Sequence, residues 1–121
     1  MNTFAIALSS IVISVAAQFL LKAGISSTTS RALLAQPLTF ETVLRLVTDR
    51  LVLGGLLLYG LGALAWLGVL SRWDVSKAYP LVGLGFALAV AVGTIAGEQI
   101  GPARVIGVAL ICAGVWIVAR T

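Results

Sequence analysis

Ser10, Ser14, Gln18 and Lys22 recur every four residues within an otherwise apolar opening stretch. At 100° per residue each step drifts by 40°. The four therefore cover about 120° of one helix face and about 18 Å of height. Two hydroxyls, an amide and an ammonium on one face could replace water around a polar ligand and bind an anion. An amide and an ammonium turned toward lipid are costly, so this face is expected to meet protein or a wet cavity. A blander reading has the serines packing a helix interface and Lys22 reaching the headgroups. Farther along, Trp66 and Tyr79 each offer a hydrogen-bond donor on an apolar ring, and either also suits a membrane-interface anchor. Glu98 is a carboxylate that could receive a cationic group, or simply sit near the positive start of the last helix.

Other chemistry is excluded by what the chain lacks. Without histidine, neither a Ser-His-Asp triad nor a His-ligated metal site can be built. Cys112 is the single cysteine, so no intrachain disulfide and no thiolate cluster can form. The only candidate acids and bases are Glu41, Asp49, Asp74 and Glu98. No GxxxxGK[ST] loop occurs to hold a nucleotide. The expectation is a protein that is not an enzyme and holds no metal and no cofactor. A net charge of +4 raises nucleic acid as a partner to be considered. The eight Lys and Arg are instead scattered at helix ends, so no nucleic-acid partner is expected.

The elements that must position these residues are membrane spans. Of the 121 residues, 60% are hydrophobic and only 10% charged, with a mean hydropathy of +1.13. Ordinary soluble domains carry about 25% charged residues, so this chain cannot coat a water-facing surface. A hydrocarbon core needs about 20 apolar residues in a helix. Charge-free stretches of that order run over Met1–Leu21, Leu51–Ser71 and Ala78–Gly97. A fourth, Val105–Ala119, lengthens when Pro102 to Arg104 are counted at the interface. The runs are continuously apolar rather than alternating, which argues against strands. The expectation is an all-α membrane protein, one four-helix unit over residues 1–121. Its opening stretch is read as a retained span rather than a signal peptide, because Met1 to Thr3 carry no basic side chain.

Between the first two spans, Lys22–Arg50 is the one sizeable loop. Phe40, Val43, Leu44 and Val47 fall there at helical spacing, opposed by Glu41, Arg45 and Asp49. With Thr39 as N-cap, this predicts a short amphipathic helix in the membrane interface. An ordinary pre-helix for the second span is the alternative. The turn from Arg72 to Lys77 is short enough to make its flanking spans antiparallel neighbours. Asp74 suits the N-cap of the third span and Trp73 the aromatic belt. Pro80 should restrict or bend the first turns of that span, and Pro102 fits the first turn of the fourth.

Orientation is almost balanced. Lys22, Arg31, Arg45, Arg50 and Arg104 lie on one side, and Arg72, Lys77, Arg120 and the amino terminus on the other. That is a weak vote for the first side being cytoplasmic. Gly83, Gly85, Gly93 and Gly97 on the third span, and Gly107 and Gly114 on the fourth, permit close helix packing. Four helices do not easily enclose a substrate path, so a transporter of this size is expected to dimerise.

Several stretches resemble the drug/metabolite transporter superfamily. They are Tyr79-Pro80 after a short turn, the Gly97-Glu98-Gln99 exit, and the run Ile106-Gly107-Val108-Ala109-Leu110-Ile111-Cys112-Ala113-Gly114-Val115. Four spans and this length match its single-repeat members, the small multidrug resistance proteins and their EamA-type relatives. The resemblance covers nearly the whole chain, although Lys22–Arg50 is longer than usual. The drug-exporting branch carries a glutamate in the first span where this chain has Ser14, and an aromatic where it has Val82. Both departures argue against drug antiport. The pattern of Ser14 to Gln18 followed by Lys22, then Trp66 and Tyr79-Pro80, is more similar to the subunits that flip undecaprenyl-phosphate aminoarabinose.

That resemblance implies a flippase in the bacterial inner membrane, acting as a homodimer or as a heterodimer with a related small subunit. Its substrate would be a polyprenyl-phosphate glycolipid, with an aminosugar such as aminoarabinose as the expected head. Lys22 would bind the phosphate, Gln18 and Ser14 the sugar hydroxyls, Trp66 and Tyr79 would line the sugar pocket, and Glu98 would meet an amine. Two alternatives remain at this point. One is an exporter of small or lipophilic cations that takes its carboxylate from Glu98. The other is a non-transporting membrane subunit that acts through helix packing.

Overall fold

A computed structural model describes residues 2–121. The first helix, α1 (Thr3–Ile25), starts where the Asn2 side chain accepts a hydrogen bond from the Ala5 amide, 2.7 Å away. It runs on past the expected span, so Lys22 lies in its last turn. The Lys22–Arg50 loop holds two short helices where one was expected. These are α2 (Thr28–Leu34), capped by Ser27, and α3 (Phe40–Val47), capped by Thr39. The second long helix, α4 (Arg50–Leu70), is capped by Asp49, whose carboxylate accepts from the Leu51 and Val52 amides. Asp49 therefore satisfies the start of α4 rather than only decorating the polar face of α3.

The third span is interrupted. It comprises α5 (Val75–Ala78), a 3-10 turn over Tyr79–Val82, and α6 (Gly83–Ile95). Pro80 lacks the N–H that a regular ladder needs, and the backbone tightens around it. Asp74 occupies the N-cap position of α5, but its side chain makes no capping bond there. The last helix, α7 (Pro102–Ala119), opens on Pro102 in its first turn, where an absent N–H costs nothing. Among the described residues, four helical segments are long and apolar enough to cross a membrane. Residues such as Leu57, Leu64, Leu110 and Ile117 stand exposed around the bundle. In water these would be liabilities, whereas in a bilayer they form the lipid face. The chain is a multi-pass membrane protein.

Packing is uneven. Helices α1 and α4 run antiparallel in close approach. A Cβ on Gly24 would come within 2.8 Å of the Val52 amide nitrogen, one on Gly55 within 2.8 Å of Leu21, and one on Gly62 within 2.9 Å of Ser14 Oγ. Only glycine lets the two backbones meet this closely. At the same contact the Ser10 hydroxyl donates to the Gly62 carbonyl at 2.7 Å, and Ser10 is buried. Helix α6 reaches α1 at one glycine, Gly85, which faces Ile11 and Val15. Helix α7 rests on α6 through Gly83, against Ile111 and Val115. Ala7, Ile11, Val15, Val69, Ala78, Leu81 and Val115 form the small core where these elements converge.

Not every glycine singled out in the sequence packs. Nothing approaches the Cβ positions of Gly107 and Gly114 within 4 Å, so neither glycine is needed for packing within the chain. Gly97 takes φ +89 and ends α6, and the Glu98 amide donates back to the Gly93 carbonyl at 2.9 Å. This is a left-handed helix cap, a conformation in which glycine carries no steric penalty. The Glu98 carboxylate folds over Gly93 and fills the space that a Cβ there would need.

Candidate functional site

The principal cavity is a groove of about 480 Å³ between α1, α4 and the third span. Helix α1 contributes Ser10, Ser14 and Gln18 along its four-residue stripe. Helix α4 contributes Tyr59, Gly62 and Trp66, and the third span contributes Tyr79, Val82, Gly85 and Phe86. Its size falls within the usual range for small-molecule sites, roughly 300–1,000 Å³, and its walls are mostly apolar with a few polar groups, as such sites require. The break at Pro80 holds Tyr79 in the 3-10 turn at one end of this groove. The glycine contact at Gly62 draws α4 against the serine stripe at mid-depth.

Four of the six residues expected to form the site therefore share one cavity: Ser14, Gln18, Trp66 and Tyr79. Lys22 stands at its rim. One and two turns above Gln18 and Ser14, it lines a smaller recess of about 320 Å³ that Gln18 also lines, together with Leu21, Ile25 and Val52. From Ser14 to Lys22 the stripe climbs about 12 Å. Glu98 is outside. It lies at the same end of the bundle as Lys22, beyond the end of α6, exposed and turned onto Gly93.

Hydrogen bonding separates the stripe into two parts. Ser10 uses its hydroxyl to tie α1 to α4, so it serves helix association. By contrast, neither the Ser14 hydroxyl, the Gln18 amide, the Lys22 ammonium, the Trp66 indole nor the Tyr79 phenol has a hydrogen-bond or ion-pair partner among the described residues. Tyr79 is 67% exposed. These are uncommitted polar groups on one continuous surface at membrane depth, where a polar group without a partner is costly. None of the four carboxylates lines the groove, and Lys22 shares the adjoining recess with Gln18. Its chemistry favours an anion at the rim and a hydroxyl-rich or aromatic-stacking group below.

Tyr59 and Phe86 were missed from the sequence. Tyr59 reads as one more apolar-helix residue, and only the rotation of α4 set by Gly55 and Gly62 brings it to the groove. Phe86 lies one residue beyond Gly85, the point where α6 meets α1.

Sequence comparison points the same way. A probable 4-amino-4-deoxy-L-arabinose-phosphoundecaprenol flippase subunit, ArnE, from Pseudomonas savastanoi pv. phaseolicola is 47% identical over 62 residues, covering 50% of this chain and 54% of that protein. The chain is similar to aminoarabinose-phosphoundecaprenol flippase subunits. The correspondingly named ArnF of Erwinia tasmaniensis is 42% identical over 82 residues, or 68% of this chain and 64% of the relative. ArnF of Sodalis glossinidius is 37% identical over 71 residues, covering 56% and 55% respectively. The matched region thus spans between about half and two thirds of the length of these flippase subunits. No family model matches the chain, and no solved structure matches it.

Proposed function

We propose that this chain is a small membrane subunit of a flippase that carries a polyprenyl-phosphate-linked sugar, with an aminosugar such as aminoarabinose as the leading candidate, across the bacterial inner membrane. The observation that carries this reading is the single groove in which uncommitted Ser14, Gln18, Trp66 and Tyr79 meet below Lys22. A glycolipid of this class has a hydrocarbon tail, an anionic phosphate and a polar head. The tail can stay in lipid while the head needs shelter.

Lys22 binds the phosphate as a point charge. Gln18 and Ser14 replace water at the sugar hydroxyls, and Trp66 and Tyr79 supply ring faces and donors. Since the groove holds no carboxylate, a sugar amine that moves down it meets the π surfaces of Trp66 and Tyr79 rather than Glu98. An aminosugar phosphodiester is close to neutral overall, so its transfer moves little net charge through the membrane potential. The relatives are named as flippase subunits, which supports assembly with a second copy or a related small subunit.

Native mass spectrometry of the detergent-purified protein tests this, with polyprenyl phosphate, its aminosugar derivative and a lipophilic quaternary cation as probes. A charge-assisted hydrogen bond contributes about 1.5–3 kcal/mol. Lys22→Ala should therefore weaken lipid-phosphate binding by about ten-fold to a hundred-fold, while Arg120→Ala at the opposite end leaves it unchanged. Equal losses in both variants would reject the role of Lys22. Retention of the cation without the lipid would move the chain to the exporter reading.

A further inference from the structure

A second cavity lies on the other side of the contact between α1 and α6. It is a trough of about 460 Å³ bounded by Val12, Ala16, Phe19 and Leu20 of α1 and by Leu88 and Val92 of α6. Every one of these side chains is pure hydrocarbon. Such a space offers no partner for water, which needs two to four polar neighbours. In a bilayer it is filled by a chain, because an empty gap forfeits the dispersion contacts of its walls. Val15, buried at the α1–α6 contact, lines both this trough and the polar groove and is the wall between them.

Resting on the function proposed above, we infer that this trough seats the isoprenoid chain of the same lipid whose phosphate Lys22 holds. The angular order around α1 supports the assignment. Lys22 is four residues from Gln18 and three from Phe19, which places it about 40° from the polar groove and about 60° from the trough, on opposite sides. It therefore stands on the crest between the two cavities, one turn above Phe19 at the upper end of the trough. A phosphate at Lys22 leaves the sugar on the Gln18 side and releases the first isoprene units over Phe19 into the trough. The anchored phosphate then raises the effective concentration of the chain in the trough. An acyl chain of bulk lipid has the same hydrocarbon character without this tether. Helix α1 thus becomes a divider, with the polar head on one flank and the greasy tail on the other.

The test compares undecaprenyl phosphate with a two-isoprene phosphate of the same headgroup, by native mass spectrometry of the full chain. In the wild type the long lipid should bind at least ten-fold more tightly. Ala16→Phe, which fills the trough, should narrow that ratio to below three-fold. As a measurement independent of any folding defect, a polyprenyl phosphate with a photoreactive group on an early isoprene unit should crosslink wild-type protein at Val12, Ala16, Phe19, Leu20, Leu88 or Val92 rather than at Ser14 or Gln18. Crosslinks confined to α4 or α7, or an unchanged ratio in Ala16→Phe, would overturn the inference while leaving the flippase reading standing. Equal competition by a phosphatidic acid of common acyl length would overturn it too, by making the trough a general acyl seat. If wild type bound neither phosphate, the proposed function itself would fail.

Discussion

Gly24→Ala is the sharpest test of how α1 and α4 are held. A methyl group there would lie 2.7 Å from Val52 Cγ2, 2.8 Å from the Val52 amide nitrogen and 3.1 Å from Asp49 Oδ2. The nitrogen is backbone and cannot rotate away, so α4 must shift. That same amide donates to the Asp49 carboxylate at 3.2 Å, so the shift also weakens the cap of α4. Overpacking of this kind costs about 1–3 kcal/mol, and a lost N-cap adds about 1 kcal/mol. Alanine recovers up to about 1 kcal/mol of helix propensity relative to glycine. The net expectation is a destabilisation of about 1–3 kcal/mol. Gly54→Ala is the control, because nothing lies within 4 Å of its Cβ position and only the propensity gain remains. Reversible unfolding in mixed micelles, followed by the fluorescence of the three tryptophans, Trp66, Trp73 and Trp116, reads both variants. Placed in an Asp49→Ala background, Gly24→Ala should lose about 1 kcal/mol of its penalty, since the cap is already gone. If Gly24→Ala matched Gly54→Ala, the close α1–α4 approach would be refuted. Strict additivity with Asp49→Ala would refute the coupling through the cap.

Gly83→Ala should cost less than Gly24→Ala in the same unfolding experiment. Its nearest neighbours are the side-chain ends Ile111 Cγ2 at 2.7 Å and Val115 Cγ2 at 3.0 Å, on a helix that can yield; an equal or larger loss would show that α7 is held more firmly than its packing implies. Phe40 is 84% exposed on the apolar face of α3, while Thr42 and Leu46 point inward, so an environment-sensitive dye on Phe40→Cys, in a Cys112→Ala background in anionic vesicles, should report an interfacial depth. Water-like emission there would reject the interfacial placement of α3. Glu98→Gln should leave polyprenyl-phosphate affinity within about two-fold, because Glu98 does not line the groove; a ten-fold loss by native mass spectrometry would bring Glu98 back into the site.

The sequence made the spans legible because continuous apolar runs of bilayer length admit few other readings. The four-residue stripe was legible for a similar reason, since Gln18 and Lys22 are conspicuous in hydrocarbon. Trp66 and Tyr79 were legible as hydrogen-bond donors on apolar rings, and the family resemblance gave them a place in a sugar pocket rather than at the membrane interface. What stayed hidden depends on helix rotation. Thirteen glycines offer many close-packing patterns, and spacing alone does not say which glycine faces which neighbour. The α1–α4 approaches fall at Gly24, Gly55 and Gly62, none of them among the glycines read as packing positions; of those that were, Gly83 and Gly85 do meet neighbours, whereas Gly107 and Gly114 meet nothing. Gly93 and Gly97 read as a packing step, yet Gly97 is a helix terminator and Gly93 is covered by Glu98. Asp49 fits either the polar face of α3 or the cap of α4, and local pattern does not choose between them. Ser27 and α2 were overlooked because a seven-residue helix carries too little periodicity to register.

The uneven packing has a mechanical consequence. Helices α1 and α4 are locked by three glycine contacts and a buried serine–carbonyl bond, while α6 and α7 form a second pair joined through Gly83. The two pairs meet along a thin seam where Gly85 touches Ile11 and Val15. A hinge that swings the second pair away from the first opens this seam while pivoting on the buried cluster of Ala7, Val69, Ala78, Leu81 and Val115, beside the 3-10 turn at Pro80 where the backbone ladder is already interrupted. Both cavities flank the seam, so one such swing changes the width of the polar groove and of the apolar trough together. A lipid straddling α1 would feel head and tail released in a single stroke.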